Sequence, residues 1–197
     1  MSEKPIEGDP AALGLSAFAI TTFLLSFANA GLLPAATAVV VMPLALSYGG
    51  FAQLVAGAFE MKKGNTFGFT AFSSYGAFWL FYAILVLLKS AGLVNPPAAA
   101  IGVALVLWGL FTFYMWVPTL AINLTLSMIF LFLWVTFVVL GLGDLMGNPA
   151  YTQAGGYLGI VTAAIAAYMS FAIVTNSILG KGTVPVGPRL IRRHQSK

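Results

Sequence analysis

The sequence predicts an all-α integral membrane protein with six transmembrane helices. Three observations predict it. Of 197 residues, 60% are hydrophobic and 7% are charged, with a mean hydropathy of +0.96. A water-facing surface needs far more charge than this. The apolar residues fall into six runs, each near the ~20 residues that cross ~30 Å of hydrocarbon. The charged residues sit at the ends of these runs. Six spans use up the chain. Residues 1–12 are expected to be a cytoplasmic segment, 13–179 the transmembrane domain, and 180–197 a basic cytoplasmic tail, with no soluble domain.

The first run is Leu13 to Leu33. Before it, Met1 to Pro10 is polar and net acidic, so Ala28-Asn29-Ala30 is not read as a signal cleavage site. The second run, Ala38 to Phe59, holds Ser47, Tyr48, Gln53 and Pro43. Proline removes a backbone donor, so a bend is expected there. The third is Thr66 to Leu88, followed by Lys89 and the Asn95-Pro96-Pro97 turn. The fourth, Ala98 to Val117, is closed by Pro118, and the fifth, Asn123 to Leu142, by Gly143-Asp144. Gly147-Asn148-Pro149 signals a turn, and Gly156 to Leu179 forms the sixth.

Orientation follows from lysine and arginine. With both termini on one side, that side collects Lys4, Lys62, Lys63, Lys181, Arg189, Arg192, Arg193 and Lys197 against Lys89 on the other. Both termini are therefore expected in the cytoplasm, the protein being multi-pass in the plasma (cell) membrane. The net charge of +4 is explained by topology, and no nucleic-acid partner is expected.

Chemistry is bounded by what is missing. There is no cysteine, and the one histidine, His194, is in the tail. Of the acidic residues only Glu60 and Asp144 come near the membrane, each at the end of a span. Serine and threonine hydroxyls therefore have no activating partner inside the bilayer. No enzyme activity, metal or cofactor is expected.

Uncharged polar residues carry the rest. Thr66, Thr70, Ser73 and Ser74 share one face of the third span, with Tyr75 at its flank. The face reads either as helix–helix glue or as part of a permeation pathway. The first span puts Phe18, Thr21, Thr22, Leu25 and Asn29 on one face. The fifth does the same with Thr125, Ile129, Leu133 and Thr136, with Asn123 at its start, and the second adds Gln53. Such linings suit water or a small, weakly charged solute. The pairs Gly155/Gly159 and Gly64/Gly68 mark close helix packing, within or between subunits. Gly14-Leu15-Ser16-Ala17-Phe18 is echoed by Gly68-Phe69-Thr70-Ala71-Phe72, a weak internal repeat.

Lys62-Lys63-Gly64-Asn65-Thr66-Phe67-Gly68, continued by Thr70-Ala71-Phe72-Ser73-Ser74-Tyr75-Gly76 and Phe78-Trp79, resembles the acetate uptake transporter family, the succinate–acetate permeases. Asp9-Pro10-Ala11-Ala12-Leu13-Gly14-Leu15, Tyr48-Gly49-Gly50 with Gln53 and Glu60, and Thr183 to Gly187 extend the resemblance over most of the chain. It implies a homohexamer of six-helix protomers, each with its own pore for acetate and related short carboxylates, sometimes succinate. It implies an apolar constriction of Phe18, Tyr75 and Leu133, with Ala166 at a small pore-side position. Two departures stand out. Asp9 and Ala12 replace the signature's Asn and second Pro, and Ile173 takes the position of a Glu in bacterial relatives. Without a carboxylate inside the spans, a proton has the substrate itself as carrier, since a carboxylic acid has a pKa near about 4.3. Proton-linked carrier and passive channel both stay open. The competing reading is a membrane sensor or assembly protein of the same fold without flux.

Overall fold

The computed structural model describes residues 8–192. Lys4, Arg193, His194 and Lys197, used above for topology and chemistry, lie outside them. Among the described residues six helices are long and apolar enough to cross a membrane, and there is no strand. They are α1 (Pro10–Asn29), α2 (Val39–Lys62), α3 (Thr66–Ser90), α4 (Ala98–Thr119), α5 (Leu124–Met146) and α6 (Pro149–Leu179).

Several boundaries differ from the hydropathy reading: α2 runs on to Lys62, and α5 runs on to Met146, so Gly143 and Asp144 lie inside the helix they were expected to end, which stops instead at Gly147 with φ +60°. Two more differ for local reasons. α1 stops at Asn29 rather than Leu33, because Gly31 takes φ +74° and Leu32 and Leu33 turn back to donate to the Phe27 carbonyl at 3.0 and 3.2 Å. α6 starts at Pro149 rather than Gly156. Asn148 Oδ1 accepts from Ala150 N at 3.0 Å and Pro149 takes the first turn, so the turn signal is itself a helix cap. The resulting 31-residue helix extends beyond the ~30 Å hydrocarbon layer.

α2 is composite. Its first part, the short helix whose turns begin one residue earlier at Ala38 and end at Leu44, contains Pro43; wide π-helical turns occupy Ala45–Ala52; ordinary helix resumes at Gln53. The slip into wider turns follows the position where proline offers no N–H, and Ser47 Oγ donates to the Pro43 carbonyl at 2.8 Å.

Helices adjacent in sequence are neighbours in space, and α6 packs on α1 to close the ring. At Gly102 of α4 an added Cβ would lie 2.7 Å from the Gly141 carbonyl oxygen of α5. Those two backbones therefore touch. α3 and α4, by contrast, meet through rings rather than through close backbones: Tyr75–Phe111 at 5.6 Å and Phe78–Trp108 at 5.2 Å between centroids. Of the small-residue pairs, Gly159 faces Ser26 of α1 and Gly155 faces Leu140 of α5, so both serve packing within the protomer. Gly64 lies in the α2–α3 turn with φ +75°, which separates it from Gly68 on α3.

Residues 180–192, expected as a basic tail, run back along the end of the bundle. The Asn176 amide holds Val184 through both its backbone groups, at 2.9 and 2.7 Å. The Val186 carbonyl accepts from Thr125 N and Oγ1 at 3.1 and 2.9 Å. Leu190 and Ile191 donate to the Leu120 carbonyl at 2.8 and 3.1 Å. This strap fixes the α4–α5 turn, and with it Ile122 and Asn123.

Candidate functional site

Two cavities lie inside the bundle. The first, about 490 Å³, opens at the end where Asp9, Lys63 and the α4–α5 turn meet. The second, about 260 Å³, is bordered at its rim by Asn29, Lys89 and Asp144. Phe18 and Leu133 are the two residues that line both cavities. They are 5% and 4% exposed, so little space separates one cavity from the other except these side chains.

Tyr75 completes this neck from the first side. Its ring lies 5.9 Å from that of Phe18, centroid to centroid, and lines the first cavity. Its hydroxyl points the other way, donating to Thr112 Oγ1 at 3.0 Å, which in turn donates to the Trp108 carbonyl at 2.7 Å. The polar end of Tyr75 is thus bound to α4, and its carbon face is left to the cavity.

The first cavity carries charge both at its rim and within it. Lys63 Nζ pairs with Asp9 Oδ1 at 3.0 Å, and the same oxygen caps α1 by accepting from Ala11 N at 3.1 Å. Glu60 is fully buried and lines the cavity. Its Oε2 accepts from Asn65 Nδ2 at 2.7 Å, while Oε1 has no partner. Asn65 also caps α3, its Oδ1 accepting from Gly68 N at 3.1 Å. Deeper in, Gln53 is fully buried and neither atom of its amide has a partner among the described residues. Asn123 lines the same cavity and caps α5, accepting from Leu126 N at 2.8 Å.

Glu60 corrects the expectation that no carboxylate lies inside the spans. α2 continues past Phe59 to Lys62, and the start of α3 folds over it: a Cβ on Gly68 would come within 2.8 Å of the Glu60 carboxyl carbon. The available signal was spacing, since Gln53 and Glu60 are two turns apart on one helix face.

The second cavity takes its polarity from hydroxyls. Thr22, Ser26, Asn29 and Thr136 line it among the rings of Phe78, Trp79, Tyr82 and Phe137. Thr136 Oγ1 donates to its own helix, to the Phe132 carbonyl at 2.7 Å, and Thr22 Oγ1 is buried without a partner.

Other expected pathway residues lie away from both cavities. Thr21 is buried with its hydroxyl donating to the Ala17 carbonyl at 2.8 Å, and it packs on Gly49. Ala166 is fully buried in the core. Thr66, Thr70, Ser73 and Ser74 line neither cavity, and Ser73 lies against Gly57 of α2. The cavity side of α3 is instead Phe67, Ala71, Tyr75 and Phe78, about 100° around the helix from the hydroxyl stripe. Ile173, where bacterial relatives are expected to carry Glu, lines the first cavity as an apolar wall. Among the described residues no three metal-ligating side chains cluster.

Six apolar helices closing on two cavities, one at each end, with an apolar neck between them, define a polytopic membrane protein of the transporter or channel class. The chain belongs to the GPR1/FUN34/yaaH family, whose sequence pattern matches residues 2–186. It is 41% identical over 180 residues to the succinate-acetate/proton symporter SatP of Escherichia coli strain K12, covering 91% of this chain and 95% of the relative. It is 38% identical over 194 residues to acetate permease A of Emericella nidulans, covering 90% of this chain and 65% of the relative. The solved structure of the bacterial acetate channel SatP superimposes with a TM-score of 0.88 at 40% identity, over 92% of this chain and 99% of that one.

Proposed function

We propose that this protein moves acetate and related short-chain carboxylates, succinate among them, across the plasma membrane through a path in each protomer. One observation carries the reading: the two cavities meet at Phe18 and Leu133. A path with a single apolar neck admits a small solute that sheds its water briefly, and excludes large or strongly hydrated ones. The family supplies the solute: the relatives are named as a symporter, a permease and a channel for acetate or succinate. The chemistry is transport rather than catalysis, and needs no cofactor.

Phe18, Tyr75 and Leu133 are proposed as the constriction. Gln53 and Asn123 are assigned to the path on the first side, and Thr22, Asn29 and Thr136 on the second. The first cavity faces the cytoplasm in this reading, because Lys63, Lys181, Arg189 and Arg192 gather at its end. The assembly proposed is a homohexamer. Uptake of labelled acetate by liposomes containing the purified protein tests the function; no uptake above empty liposomes would refute it. A tag in the turn at Lys62 is expected to be cytoplasmic, and native mass spectrometry in nanodiscs is expected to give six protomers.

A further inference from the structure

We propose that Gln53 reads the carboxyl group of the substrate and takes it as the neutral acid rather than as the anion. The proposal rests on the acetate-transport reading above. Gln53 is fully buried, lines the first cavity, and has neither amide atom hydrogen-bonded to any described residue. An unpartnered buried amide is unfavourable, so its complement is a molecule that enters the cavity. The π-helical turns of α2 end at Ala52, directly before Gln53, and such turns are frequent at functional sites.

A primary amide presents an acceptor oxygen beside a donor N–H. A carboxylic acid presents the reverse pair, a C=O and an O–H, so the two close a ring of two hydrogen bonds. A carboxylate has two acceptor oxygens. One meets the Nε2 proton; the other faces Oε1 with no proton between them. The amide therefore discriminates between the two forms of one solute.

The charges around it act in the same sense. The charged side chains that line this cavity are Asp9 at the start of α1 and Glu60 and Lys63 from the end of α2 and the turn after it. Lys63 is paired with Asp9 at 3.0 Å. The Glu60 oxygen without a partner lies on the face of α2 that carries Gln53. α3 contributes Tyr75, whose hydroxyl donates to Thr112. α5 and α6 contribute no titratable group, only residues such as Leu133, Met169 and Ile173. Among the described residues of this lining, no unpaired cation compensates an anion on its way to the amide. The proton in this scheme is taken up by acetate in water on one side, crosses on the acid's oxygen, and is released to water on the other. Net movement is one acetate with one proton.

The test uses the full-length protein in liposomes, with empty-liposome flux subtracted. Labelled acetate is held at constant total concentration across about pH 5 to 8, where the acid share falls about tenfold per unit. Wild-type flux is expected to follow that fall and to ignore an imposed potassium diffusion potential. Acetamide, a neutral isostere with the same donor–acceptor pair, is expected to compete. Gln53→Leu removes both hydrogen bonds; flux should drop on the order of tenfold and acetamide should no longer compete. Gln53→Glu offers the same ring only when protonated, so its flux should fall with rising pH more steeply than the wild type's. Flux driven by the potential, flux independent of pH, or wild-type flux in Gln53→Leu would each overturn the proposal while leaving acetate transport standing. A wild-type protein inert to acetate at every pH would overturn the transport reading itself, and this one with it.

Discussion

At the end of the bundle that carries Asp9 and Lys63, a cavity of about 490 Å³ is rimmed by charge and lined by amides. At the opposite end, a cavity of about 260 Å³, with Lys89 and Asp144 at its rim, is walled by aromatic and aliphatic side chains with hydroxyls between them. Helices α1, α3, α5 and α6 line both, but α2 lines only the first and α4 only the second, so the difference comes largely from α2, which supplies Gln53 and Glu60. On the first side the amide of Gln53 is held ready for an outside partner. On the second, a hydroxyl such as that of Thr136 is already bonded to its own helix. Thr22 Oγ1 is the exception there, buried without a partner among the described residues, so each cavity keeps a polar group open: an amide on the first side, a hydroxyl on the second. The Phe18–Leu133 neck keeps the two apart.

The largest expected effect comes from breaking that neck. Leu133→Ala removes three heavy atoms from a side chain that lines both cavities. Flux of a larger monocarboxylate such as lactate is expected to rise on the order of tenfold, with acetate flux kept or raised. A packed core residue with no place in the path would instead cost roughly 2–5 kcal/mol of stability and abolish all flux. Melting temperature and selectivity, measured on the same sample, separate these outcomes. Leu131→Ala, about 200° around α5, is the control and is expected to leave selectivity unchanged.

A smaller effect is expected from narrowing one cavity alone. A Cβ on Gly14 would come 2.5 Å from the Phe72 ring, which lines the first cavity and not the second. Gly14→Ala should push that ring inward, at a cost of about 1–3 kcal/mol. Succinate uptake should fall about threefold or more relative to acetate uptake. An unchanged ratio would mean that the first cavity does not limit solute size.

The smallest effect belongs to the rim. Asp9→Asn keeps a side chain able to cap α1 and removes the ion pair with Lys63, whose partners are 42% and 39% exposed. Stability should change by no more than about 1 kcal/mol. Acetate flux should stay within about twofold at low and high salt, as expected if the solute enters uncharged. A large change that disappears at high salt would instead mark this rim as a collector of anions.

The internal echo has a physical trace. Gly14 in its first copy makes room for Phe72 in its second, so the two segments pack on each other where α1 and α3 enter the bundle. The small-residue pairs were less informative. Gly155 and Gly159 are consumed by packing against α5 and α1 within the chain.

What the sequence determined by itself is what a bilayer enforces locally. Apolar runs of spanning length become helices because lipid offers the backbone no other partner, and the six spans are found where hydropathy put them. Phe18, Leu133, Thr22, Gln53 and Asn123 were also legible as inward-facing candidates, and each lines a cavity. Helical periodicity states only which residues share a face, however. In a bundle that is apolar all round, it does not state which face looks inward. Thr66, Thr70, Ser73 and Ser74 therefore read as a lining, while the rings of Phe67, Tyr75 and Phe78 took that place. Glu60 read as the end of a span until the start of α3 closed over it. Its burial depends on a contact between two helices, and so does the empty space that leaves the Gln53 amide without a partner. Only the tertiary structure decides such contacts and voids, because they belong to pairs of elements rather than to any one of them.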